Sequence, residues 1–320
     1  MSHNDHPQLS RRHLLQAGAW AGAGFALNQT LLAADAAALP LITKAIPATG
    51  ERLPVIGIGT NAFRDARYDE LRAVLKRMQE LGASLIDTAA SYGESEGVIG
   101  RALAELQLRD KLFISTKFNA AGRGFGPQDS VGGKESFERS LERLKTSKVD
   151  LLEVHRLEGL VELMPLMQEY KQAGRIRYLG VTTFRNEEHG RMVEALRKYP
   201  LDFIQIDYSL ANRKAAEAVF PLAMQRKVAV MINVPLGGRR GSLFQEVAGR
   251  ALPTWAADFN ASSWSQFFLK YVVSHPAVTC AIPGSTQISH LEDNLAAGRG
   301  RLPNAAERKR MEEFWDGKAR

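Results

Sequence analysis

Cysteine is almost missing from this chain: Cys280 is the single thiol in 320 residues. One thiol excludes an intrachain disulfide and a cysteine-based metal cluster, and no metal site is read from the other residues. Cys280 lies in the apolar run VTCAIP, where the expected role is that of a small buried hydrophobe. Basic stripes are missing too. The formal charge is +7, but lysine and arginine are scattered among acids, so a solvated surface is expected and no nucleic-acid partner. No apolar run is long and clean enough to make a good bilayer-spanning helix, and no repeat or low-complexity tract appears. Hydrophobic residues at 45% suffice for a large core, and a closed α/β barrel is an architecture that keeps such a length in one domain.

The first residues read as an address. The segment SRRHLLQAGAWAGAGFALNQTLLAADAAALP carries paired arginines, an apolar stretch from Ala17 to Leu32, and then small residues, the layout of a cleavable export signal. Asn28 and Gln29 interrupt the stretch, so no stable membrane anchor is expected. The segment resembles a bacterial twin-arginine signal through Ser10, Arg11, Arg12, Leu14 and Leu15, with Gln16 where lysine is frequent. The resemblance implies a partner, the twin-arginine export machinery, and delivery of a folded protein to the periplasm. Ala34 and Ala36, or Ala36 and Ala38, suit the cleavage enzyme. The expected division is a cleaved signal over residues 1–38 and a barrel domain over 39–320. Arg11 and Arg12 are matched by Asp5 and Asp35, so the basic balance belongs to the second part.

From Leu53 onward, short aliphatic runs alternate with stretches of helical period, the pattern of repeated βα units. The expected strands are Val55 to Gly59, Ser84 to Asp87, Leu112 to Lys117, Val149 to His155, Ile176 to Thr182, Phe203 to Asp207, Val228 to Asn233 and Thr279 to Pro283. YDELRAVLKRMQEL, KESFERSLERL, LVELMPLMQEYKQAG and NEEHGRMVEALRKY read as amphipathic helices, with Gly82 and Gly174 where two of them should stop. An open doubly wound sheet would carry a glycine-rich phosphate turn after its first strand, whereas TNAFRD follows here. The fold class is therefore α/β, a (β/α)8 TIM barrel. ITKAIPATGERLPVIGIGT adds an N-terminal β-hairpin cap turning at Thr49 and Gly50. Long loops, FNAAGRGFGPQDSVGG and Leu236 to Ser263, follow strand ends on the C-terminal face, where barrel enzymes bind substrate.

Asp87, Lys117 and His155 end the second, third and fourth of these strands, and Tyr92 follows Asp87 closely. Barrel geometry gathers strand ends on one face. Singly, each has an ordinary explanation: a capping Asp, a hydrogen-bonded core Tyr or His, a solvated Lys. Together they suit carbonyl chemistry. A phenol with pKa near 10 becomes a better proton donor beside an ammonium that a carboxylate holds in place, and an imidazole can orient the carbonyl oxygen. GASLIDTAASYGESEGVIGRAL, STKF and LLEVH resemble the motifs of the aldo-keto reductase family, with Asp87, Tyr92, Gly93 and Glu96 in register. The resemblance implies a catalytic set of Asp87, Tyr92, Lys117 and His155, with Tyr92 as proton donor.

The same resemblance spans roughly residues 53 to 300 and implies cofactor contacts. Thr182 and Thr183 stand where the family has a Ser-Asn pair for the nicotinamide carboxamide, and Gln205 matches its glutamine. Asn233 replaces an aromatic residue that often stacks on the ring, a role that Trp255, Phe259 or Trp264 would have to assume. Leu236 and Gly237 match the pyrophosphate side, and Ser285, His290, Asp293 and Asn294 the adenosine motif. Two cations common near Gly284 and His290 are missing, leaving His290, Arg299 or Arg301 to meet a 2′-phosphate. NADP is the expected cofactor, with NAD as the alternative. The expected function is NAD(P)H-dependent reduction of a small aldehyde or ketone. The alternatives are a periplasmic alcohol or sugar dehydrogenase that retains its nucleotide, and a non-catalytic nucleotide-binding accessory or sensor protein, which the intact set of four argues against.

Overall fold

The computed structural model describes residues 39–118, 130–238 and 242–317. The expected signal and the loop 119–129 lie outside the described residues. The barrel unit begins at Leu41. Strands β1 (Thr43–Ala45) and β2 (Arg52–Pro54) pair antiparallel as a hairpin. Gly50 in its turn has φ +78°, a left-handed conformation that glycine adopts without a Cβ clash.

Eight parallel strands follow: β3 (Ile58–Gly59), β4 (Leu85–Asp87), β5 (Phe113–Phe118), β6 (Val149–Val154), β7 (Ile176–Thr182), β8 (Phe203–Ile206), β9 (Ala229–Ile232) and β10 (Val278–Ala281). Each pairs with its sequence neighbour, and parallel bridges Ile56 to Ala281 and Gly59 to Gly284 close the ring. Closure needs a near-naked backbone at Gly59, where a Cβ would sit 2.7 Å from the Ile282 carbonyl oxygen. Ahead of β3 the expected run Val55 to Gly59 still pairs across the closing seam, the Val55 carbonyl accepting from the Ala281 amide and the Gly57 amide donating to the Ala281 carbonyl.

The helices are α1 (Tyr68–Glu80), α2 (Ser95–Leu106), α3 (Ser130–Leu144), α4 (Leu160–Gln172), α5 (His189–Lys198), α6 (Ala215–Gln225), α7 (Leu243–Glu246), α8 (Trp264–Ser274), α9 (Ile288–Ala296) and α10 (Ala305–Asp316). Gly82 and Gly174, both at positive φ, terminate α1 and α4. Among the described residues no helix is long and apolar enough to cross a membrane.

Strand alternation sorts side chains into two environments. Ile86, Ile114, Leu152, Val154, Val181, Ile204 and Val230 face the helices and join the large outer core. Leu85, Phe113, Leu151, Tyr178, Phe203 and Met231 form a separate inner cluster that Ile46 and Leu53 of the hairpin cap from below. Cys280 belongs to this inner cluster, and burial pushes its thiol pKa up, as expected of an inert hydrophobe. One step up the strands the same inward positions turn polar: Asp87, Ser115, Lys117, Glu153, Thr182 and Gln205, all buried.

Candidate active site

Asp87 and Lys117 meet inside the top of the barrel. The Lys117 Nζ donates to both Asp87 carboxylate oxygens at 2.6 Å and to the Thr88 carbonyl at 2.8 Å, and neither side chain reaches solvent. Three protons thus have three protein acceptors. Burial, the largest single effect, would lower the Lys117 pKa, but the charges of Asp87, Tyr92 and Glu153 and the hydrogen bond to Asp87 together outweigh it, and the net shift is upward. The ammonium lies 5.2 Å from the centroid of the Tyr92 ring. Tyr92 in turn meets His155 edge to face, with centroids 6.0 Å apart. The four residues expected together are together.

The balance on Tyr92 differs from the simple expectation. Burial raises its phenol pKa, Lys117 pulls it down, and Asp87 and Glu153 push it back, so the net direction is upward. Tyr92 is held as a phenol. Burial first, then the charges of Lys117 and Arg156, lower His155 to about 3, so its imidazole is neutral near pH 7. Ser91 Oγ lies 3.2 Å from His155 Nδ1. A hydroxyl donating there leaves Nε2 as the N–H that faces other partners.

A second polar group joins this one. Gln205 Nε2 donates to Asp87 at 2.9 Å and to Glu153 at 3.1 Å, and its Oε1 accepts from Thr182 Oγ1 at 3.0 Å. Asn233 Nδ2 donates to the Thr183 carbonyl at 2.9 Å. That carbonyl can only accept, which fixes the amide orientation and leaves Asn233 Oδ1 buried without a partner. The Thr183 hydroxyl is turned away, donating to Glu188.

The remaining expected cofactor residues are distributed differently. Leu236 and Gly237 follow β9 at the rim, with Gly237 at positive φ. Ser285 accepts from Asn294, which accepts from Ser265, while Asp293 accepts from Ser263 and Gln266; both tie α9 to the start of α8. His290 is exposed on α9. The Arg301 guanidinium donates to Glu307 and to the Asp258 carbonyl. Arg299 reaches back to the Leu81 carbonyl. The candidate stacking aromatics pack into the protein: Trp255, Phe259 and Trp264, the last opening α8, pack with Phe267 of α8, and Trp255 and Trp264 also pack with Phe314 of α10.

Sequence reading missed Glu153, Ser115 and Ser91. The first two stand two residues before His155 and Lys117, so the period of two that points the strand ends inward points these inward as well.

A (β/α)8 barrel that gathers a buried ion pair, a phenol and a neutral imidazole at its C-terminal strand ends is built as an enzyme. A model of the Aldo/keto reductase family matches residues 55–316, and the chain belongs to that family. It is 32% identical over 198 residues to the aldo-keto reductase YhdN of Bacillus subtilis, covering 58% of this chain and 59% of that protein. It is 30% identical over 263 residues to the methylglyoxal reductase YeaE of Escherichia coli, covering 79% and 88%. Among solved structures, an aldo/keto reductase from Klebsiella pneumoniae in complex with NADP and acetate matches with TM-score 0.68 at 27% identity, over 83% of this chain and 93% of that one.

Proposed function

We propose that this protein reduces an aldehyde or ketone to the alcohol with NADPH, Tyr92 donating the proton. The observation that carries the reading is the buried Lys117–Asp87 pair behind a phenol kept protonated by its surroundings. Lys117 is the positive charge toward which a phenolate can form, and Asp87 holds that charge in place. His155, neutral and braced by Ser91, offers an N–H to the carbonyl oxygen and fixes the distance over which Tyr92 gives up its proton.

The side chains present fit a nicotinamide nucleotide. Asn233 Oδ1 is a buried acceptor without a partner, suited to the N–H of a carboxamide and beside Thr182 and Gln205. Asn233 thereby provides the amide that Thr183 lacks. When bound, the nucleotide supplies the hydride. The solved relative holds NADP, which supports NADP over NAD here. The expected export through the twin-arginine route to the periplasm, supported by Arg11 and Arg12 with the apolar stretch behind them, implies that the nucleotide is bound before the protein leaves the cytoplasm.

Tyr92→Phe tests the assignment. With a small aldehyde such as methylglyoxal and NADPH, kcat should fall by about 10²–10⁴-fold, the usual contribution of a positioned general acid. NADPH affinity, followed by nucleotide fluorescence, should hardly change. An undiminished kcat would remove Tyr92 from the role.

A further inference from the structure

Glu153 is a carboxyl that the chemistry above leaves unused. It projects inward from β6 two residues before His155 and is completely buried. Room for it exists because β7 offers Gly180 opposite: a Cβ there would lie 3.3 Å from the Glu153 Cγ and 2.8 Å from the Phe203 carbonyl oxygen.

The proton count around it is short. Glu153 Oε2 accepts from Gln205 Nε2 at 3.1 Å and from Ser115 Oγ at 3.3 Å, while Oε1 is buried with no partner. The serine has one proton, and Asp87 Oδ1 competes for it at 3.1 Å. Lys117 has none to spare, since its three protons go to Asp87 and the Thr88 carbonyl. Two carboxyl groups therefore share the donors that would satisfy one. An ionised carboxylate with an orphaned oxygen is costly in a dry interior, so the charge settles on Asp87 and the proton on Glu153.

We propose that Glu153 is a positioning residue for proton transfer: in register with Lys117 on the neighbouring strand and sharing Ser115 and Gln205 with Asp87, its carboxyl sets the charge felt by the Tyr92 phenol. The inference rests on Tyr92 being the donor. The charged and titratable groups that face it are Asp87 of β4 and Tyr92 beyond it, Lys117 of β5 and Cys280 of β10. Burial pushes the Glu153 pKa up, Lys117 pulls it down and Asp87 raises it again, to about 8. Below that pH the site carries one positive and one negative charge behind Tyr92. Above it, Glu153 releases its proton to solvent, and the added negative charge makes the phenol harder to ionise. Reduction, which needs the phenol, is extended to higher pH, and alcohol oxidation, which needs the phenolate, is held back.

The test compares pH profiles of kcat/KM for aldehyde reduction and alcohol oxidation in the parent enzyme and Glu153→Gln. In the variant, the alkaline limb of reduction and the onset of oxidation should both move down by about one pH unit, the size expected from removing one nearby charge in a protein interior. A variant that scales the rates without moving either limb overturns the proposal. Tyr92→Phe run alongside separates the two ideas. If it is inactive while the Glu153→Gln limbs stay in place, only this inference fails; if it is fully active, the donor assignment fails and this inference with it. A second measurement does not depend on the variant folding. In the NADP-saturated parent enzyme with side-chain carboxyl ¹³C-glutamate, one glutamate resonance should titrate near pH 8. If every glutamate carboxyl titrates in the ordinary acid range, the proposal is overturned.

Discussion

Glu153 and His155 leave opposite marks on stability, although they are two residues apart on one strand end. For Glu153 the folded pKa of about 8 stands above the ordinary 4.5, so between those values the folded chain holds a proton that the unfolded chain has lost. Its contribution to stability is fully present below pH 4.5 and is lost as pH rises through 8. His155 acts the other way: with a folded pKa of about 3 against 6.5, its contribution is present above 6.5 and lost as pH falls. The parent curve mixes the two, so the difference between parent and variant isolates Glu153. The Tm of Glu153→Gln relative to the parent should rise steadily from pH 5 to pH 8. A gap independent of pH would mean that Glu153 is ionised throughout. Asp87, Lys117 and His155 were legible because each ends an expected strand, and Tyr92 because it closely follows Asp87. The direction of the Tyr92 shift was not, since it depends on how burial weighs against Lys117, Asp87 and Glu153, and no local pattern carries that balance.

Among the elements, α2 and α3 meet more closely than their amphipathic patterns disclose. Gly100 on α2 faces the end of α3, where a Cβ would lie 2.0 Å from the Arg143 carbonyl oxygen and 2.7 Å from the Leu144 carbonyl carbon. Those neighbours are backbone and cannot rotate aside. Alanine ordinarily favours a helix over glycine by about 1 kcal/mol, but the clash prevails. Gly100→Ala should therefore destabilise the fold by about 1–3 kcal/mol in urea melts, the usual range for overpacking a core. An equal or higher midpoint would show that the helices slide apart freely. The same contact holds Glu96, buried on α2, which accepts from Thr116 of β5 at 2.7 Å and from Arg143 at 3.2 Å. Glu96 stood in the family register, and its visible role is to fasten α2 to the outer face of β5. Four helices, α1, α3, α4 and α5, and most strands were readable from their periods. The closing seam was not, because residues 55–59 pair there with a segment more than two hundred positions away.

For the molecule as a whole, the proposed twin-arginine export ties folding to delivery, because a barrel that takes up a nucleotide would be loaded before it leaves the cytoplasm. Replacing Arg11 and Arg12 together by lysine should keep the protein in the cytoplasm in cell fractionation. The exported parent, once denatured, should release nicotinamide nucleotide detectable by mass spectrometry. Unchanged export of the double-lysine variant would set the address aside, and an exported parent without nucleotide would set preloading aside. By itself, the sequence determined the alternation of βα units, the hairpin cap, and three chemistry-bearing side chains at strand ends with Tyr92 just after the first of them, because all of these follow from local period and spacing. Only the tertiary structure decided the finer arrangement. Thr183 turns to Glu188, Asn233 presents a bare carbonyl oxygen, Trp255 packs against α8 and α10 while Trp264 opens α8 and packs against α10, and Glu153 competes with Asp87 for shared donors. Apart from the short-range bond of Thr183 to Glu188, these are settled by contacts between elements far apart in the chain and by how much water the closed barrel excludes, and neither is written in any short stretch of sequence.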